Sequence, residues 1–131
     1  MAYELRGIDL SFPAQEDLAS DQYRIVILTS TGVRRPDAAT DKPLGVLQNA
    51  PAIGEAAVVR LLGCGGVSKV RCGAGAQAIG VIVGCEYVSA SDAGKAIAAV
   101  ATMYPVGIVI EASAGEDELA TVLLAPLTVK A

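Results

Sequence analysis

The segment Pro43–Leu62, "PLGVLQNAPAIGEAAVVRLL", returns in altered form at Pro105–Leu124 as "PVGIVIEASAGEDELATVLL". Both copies open on Pro-x-Gly and an apolar run, cross an Ala-rich turn ending in Gly-Glu, and close on Leu-Leu. The spacing is the same at Pro43/Pro105 and Leu62/Leu124 and one residue shorter at Gly54/Gly115 and Glu55/Glu116, as one deletion and one insertion would leave it. Short apolar runs bounded by turn residues predict a β-hairpin, here strands 44–48 and 56–62 around the turn "NAPAIGE". The Pro-x-Gly entrance is read as the place where the strand bends into a sheet. Two copies are too few for a solenoid. They predict pseudo-symmetric packing about one core, a scaffold rather than a pair of active sites.

The flanking segments follow the same pattern. "YRIVILT" (23–29) is β-branched and apolar and predicts a buried strand. "STGVRRPDAATDKP" (30–43) is a loop with room for one short strand. "GVSKV" (66–70) and "VIVGCEYV" (81–88) predict further strands, separated by "GAGAQAIG", whose glycines are costly inside a helix. "SASDAGKA" has the chemistry of a tight hairpin turn, leading into a strand at about 96–101, although the alanines of "GKAIAAVATM" also suit a helix. The expectation is a mainly β, compact single-domain barrel or sandwich with pseudo-repeated hairpins and at most one or two short helices. Residues 1–20 stand apart as an N-terminal arm and 21–131 as the β-rich domain. Within the arm, Tyr3 and Leu5 alternate with polar residues, Gly7 breaks the phase, and Ile8, Leu10 and Phe12 alternate again. Residues 8–12 suit a strand of the domain; 1–7 suit pairing either at home or with a neighbour.

Composition narrows the function. The chain has 131 residues, enough for one domain with its own core. Aromatics are 4%, so Val, Ile, Leu and Ala must fill that core. Charged residues at 18% fall below the usual quarter while hydrophobic residues reach 53%, which points both to a surface rich in Ala and Gly and to apolar surface hidden against partners. No stretch is long and unbroken enough to predict a membrane-spanning helix, and the N-terminus has no secretory h-region, so synthesis in the cytoplasm is expected. A net charge of −4, with Arg34-Arg35 the only cationic pair, argues against direct nucleic-acid binding.

The chemistry is thin. There is no His, and the three cysteines, Cys64, Cys72 and Cys85, have no CxxC spacing, so neither a zinc site nor a disulfide framework is expected. The carboxylates lie in turns, and "GAGAQAIG" lacks the Lys of a phosphate-binding loop. No enzyme activity, metal or cofactor is expected. Lys95, on the hairpin "SDAGKA", is the one side chain placed as a carrier domain would place a modifiable lysine. A small β carrier or binding module is therefore the alternative function, with a solvated turn lysine as the simpler reading.

"RGIDLSFPAQEDLASDQYRIVIL", "KPLGVLQNAPAIGEAAVVRLLGCGGVSKV", "GAGAQAIG", "SDAGKA" and "YPVGIVIEASAGEDELATVLL", in that order, resemble the capsid decoration (cement) proteins of tailed bacteriophages. The resemblance runs from about residue 6 to residue 124. The cysteines and the longer "GCGGVSKVRCGAG" bend depart from it. It implies a β-rich structural protein on the exterior of the virion, bound to the major capsid protein of the expanded head. It implies a homotrimer at local threefold junctions, with a dimer as the other self-assembly, and no membrane or nucleic-acid partner. Under it, Tyr3, Leu5, Ile8, Leu10 and Phe12 become the expected capsid- or subunit-contact residues; Leu10 and Phe12 suit the domain's own core equally well.

Overall fold

The computed structural model describes residues 7–89 and 91–125. Among these the chain forms ten strands: β1 (Asp9–Pro13), β2 (Ile25–Thr29), β3 (Gly32–Arg34), β4 (Gly45–Leu47), β5 (Ala56–Leu61), β6 (Val67–Arg71), β7 (Ile82–Cys85), β8 (Ala96–Ala98), β9 (Gly107–Glu111) and β10 (Leu119–Leu124). Two five-stranded antiparallel sheets result, ordered β1-β5-β4-β2-β3 and β6-β10-β9-β7-β8. The described residues contain no helix, and the "GKAIAAVATM" segment supplies β8 and a turn. The all-β expectation therefore holds in its sandwich form. Neither sheet is hydrogen-bonded all the way round into a barrel. The edge strands of each sheet meet only near a single parallel bridge, Ala14–Val33 in the first and Cys72–Ala96 in the second.

The two predicted hairpins are β4–β5 and β9–β10. Their glycines serve close approach more than bending. A Cβ on Gly45 would run into the Arg60 carbonyl of β5, and one on Gly107 into the Leu123 carbonyl of β10. The residue between Pro and Gly is a donor to the next strand: Leu44 N–H bonds Val26 O at 2.9 Å and Val106 N–H bonds Val83 O at 2.8 Å. In the first turn, the Asn49 amide donates to Ala56 O and accepts from Val58 N–H, standing in for a missing strand neighbour. Gly54 takes a left-handed φ of 82° there, a conformation open to glycine at little cost.

The repeat is larger than the sequence suggests. Adding five to each strand number of the first sheet gives the second sheet's order. The registers match as well: Val46 pairs with Arg60 and Ile25, as Ile108 pairs with Leu123 and Ile82. The edge bridges match in the same way, Ala14 corresponding to Cys72 and Val33 to Ala96. The pairing also corrects the apparent alignment of the Leu-Leu pairs, because Gly45 opposes Leu61 and Gly107 opposes Leu124. Leu61, not Leu62, is the counterpart of Leu124.

Each half has its own core at equivalent positions. Val26, Val33, Leu47, Ala57 and Val59 cluster in the first, and Val83, Ala96, Val109, Ala120 and Val122 in the second. Burying each Val or Leu among them stabilises by about 1.5–3 kcal/mol. The two cores are completed differently. Leu18, from the β1–β2 loop, enters the first. Ile25, Val46 and Leu62 of the first half enter the second. Hydrogen bonds ring that joint: Ile25 N–H to Gly94 O at 2.7 Å, Arg71 N–H to Tyr23 O at 2.9 Å, and Gln48 Nε2–H to Ser68 Oγ at 2.9 Å.

Candidate contact surface

Of the residues expected to make contacts, Ile8, Leu10 and Phe12 lie on or next to β1, an edge strand. Ile8 and Leu10 are exposed, whereas Phe12 is half-buried against the first core. Tyr3 and Leu5 fall outside the described residues. Edge strand β1 is held by more than its backbone ladder. Arg60 grips Asp9 with two hydrogen bonds, Nε to Oδ1 at 2.9 Å and Nη2 to Oδ2 at 3.1 Å, while its Nη1 donates to Val67 O. One buried guanidinium thus joins the first half's edge to the second half. Hydrogen bonds to charged groups of this kind are stronger than neutral ones.

The chemically versatile side chains are absorbed by structure. Lys95 is buried and its ammonium is paired with Asp117. That pair holds the Asp117 carboxyl below its ordinary value. A lysine in this position is no swinging arm. Cys72 and Cys85 are buried free thiols. Burial raises both, Cys85 to about 12. Asp21 is buried between Arg24 Nε at 3.6 Å and Arg35 Nη1 at 3.4 Å; desolvation, opposed by these two cations, raises its carboxyl above the ordinary value. Arg35 is taken up further by Glu16, and Arg24 donates to Ser91 O and Ala93 O. The cluster staples loop to loop. Among the described residues, no three His, Cys, Asp or Glu side chains are grouped as metal ligands.

What the surface offers instead is apolar. On the outer face of the second sheet, Ile82, Ile108 and Leu123 are 55%, 38% and 42% exposed. With Pro105 and Ala125 they line an open groove of about 390 Å³. Sequence reasoning missed these three residues. The available signal was that "VIVG" and "VGIVIE" are apolar at successive positions, which in a strand means both faces seek cover.

No family model matches the chain, and no curated protein does. Among solved structures it is similar to the crystal structure of the head fiber gp8.5 N base in bacteriophage phi29. The superposition has a TM-score of 0.62 and covers 95% of this chain and 98% of that one, at 17% sequence identity. At that identity the likeness is one of fold, and it spans both halves.

Proposed function

We propose that this chain is a non-catalytic structural protein of a phage virion, seated on the outside of the head. The observation that carries the reading is the whole-chain fold likeness to a phage head fiber base, and the sequence resemblance to decoration proteins points to the phage head as well. In the finer form of the proposal it binds the major capsid protein at local threefold junctions of the expanded shell, as a homotrimer. Its exposed β1 edge, with Ile8 and Leu10 and the preceding Tyr3 and Leu5, faces the capsid or a neighbouring subunit. Phe12 anchors that edge to the core. Stabilisation of the head follows from linkage. A protein whose site exists only in the expanded shell shifts the equilibrium towards it. Multiple docking points slow release, because all must let go together.

The carrier-module alternative loses its chemical handle with Lys95 buried in an ion pair. The proposal is tested by banding virions of the source phage on a density gradient and quantifying the chain against the major capsid protein by mass spectrometry. A simple stoichiometric ratio on washed, full heads supports it. Absence from heads, with the chain free in the lysate, overturns it.

A further inference from the structure

We propose that copies of this chain associate head to tail, repeating between molecules the joint that already holds the two halves together. This deepens the self-association in the proposed function and rests on that reading.

The joint inside the chain has two sides. One is the outer face of the first sheet, where Ile25 and Val46 are fully buried. The other is the mouth of the second half, where Ser68, Val70 and Cys85 lie buried and Val70 and Cys85 share a cluster with Ile25 and Val46. Because the halves repeat strand for strand, each side has a counterpart on the other half. Ile82 and Ile108 stand where Ile25 and Val46 stand. Leu10, Phe12 and Leu28 stand where Ser68, Val70 and Cys85 stand. Both counterparts are open: Leu10 and Leu28 are 47% and 52% exposed, as are Ile82 and Ile108 to similar degrees.

One chain therefore ends in an uncovered face at one end and, at the other, a mouth whose rim, Leu10 and Leu28, is uncovered while Leu18 fills the core behind it. Face and rim are complementary in the sense in which its own halves are. A second copy supplies the fitting partner for each. Such a contact is heterologous, so it closes into a ring when the rotation per copy allows and runs on as a filament when it does not. A ring of three copies would present six half-units. The contact between molecules is not identical to the internal one. Pro13 holds the place of Arg71, and it has no N–H to repeat the Arg71–Tyr23 bond. Apolar side chains carry the docking.

The test uses the full chain and two surface variants, Ile108→Glu in the face and Leu28→Glu in the mouth, sized by light scattering after gel filtration. Wild type is expected to be oligomeric and each variant monomeric with an unchanged circular dichroism spectrum. Mixed in equal amounts, the variants are expected to give a heterodimer and nothing larger, since one retains a sound mouth and the other a sound face. Ile82→Glu replaces Ile108→Glu if the latter does not fold. A monomeric wild type, or variants that stay monomeric when mixed, overturns the inference. Washed heads that carry a chain monomeric in solution would overturn this inference and leave the capsid reading standing. A head-to-tail oligomer absent from heads would do the reverse.

Discussion

The two halves share strand order, register and core positions, yet differ in what they leave uncovered. The first half closes its core with its own Leu18 and gives its outer face, Ile25 and Val46, to the second. The second receives that face and leaves its own, Ile82 and Ile108, in solvent. The polar residues follow the same division. Arg60, at the joint, is buried and satisfied by Asp9 and Val67 O, whereas its counterpart Leu123 is partly exposed. Position within the pair, rather than position within the repeat, decides which residue type a site tolerates.

The sharpest test of equivalence is at the two close approaches. Gly45→Ala and Gly107→Ala each push a Cβ into a neighbouring carbonyl, and both are expected to lose more than about 4 kcal/mol or fail to fold. Urea unfolding and soluble yield measure this, and a large loss at one glycine with tolerance at the other would break the equivalence. Next comes the asymmetry. Ile25→Ala is expected to cost about 2–5 kcal/mol, as is Leu18→Ala. Ile82→Ala, the counterpart of Ile25→Ala on the open face, is expected to stay within about 0.5 kcal/mol in dilute monomer. Similar losses at Ile25 and Ile82 would mean the second face is covered within the chain.

A smaller effect concerns the second half's turn, where Asp117 holds Lys95. Asp117 has a lowered pKa when folded. Its contribution is therefore present above the unfolded carboxylate value and is lost as pH falls through the lower folded one. Asp117→Asn is expected to destabilise at pH 7 more than Lys95→Met, because it leaves a buried ammonium without this partner. Its deficit should shrink as pH drops below about 4, followed by urea midpoints across pH. The least effect is on stability but is clear in chemistry. At neutral pH a thiol reagent should label Cys64, which is partly exposed, and spare Cys72 and Cys85 until urea is added. Rapid labelling of Cys85 in the native protein would mean that the second mouth opens.

The β4–β5 and β9–β10 hairpins were legible because Pro-x-Gly has a backbone reason to persist in each copy, the passing carbonyl that excludes a Cβ. The remaining strand pairs were not. Their equivalences fall at Ala14/Cys72, Val26/Val83 and Val33/Ala96. The spacing shifts from one pair to another because the loops between strands differ in length. Small apolar residues exchange freely at such positions, so no letter pattern survives. At the joint the divergence is greater still: Leu28 became Cys85, and Arg60 became Leu123, because one partner is buried and the other is not. The exposed apolar surface was half legible. Ile8 and Leu10 showed as an alternating strand, while Ile82 and Ile108 were submerged in a run apolar on both faces.

Leu18 has a consequence for the order of events during synthesis. The first half is complete in sequence by Leu61, with its core plugged from within. The second half needs Ile25, Val46 and Leu62 to finish its own core. Chains fold N-terminal units first as they emerge, so the half that needs no help is available before the half that does. The first sheet is in this sense the template on which the second is laid. Exchanging the order of the two halves along the chain should slow folding more than it weakens the folded state.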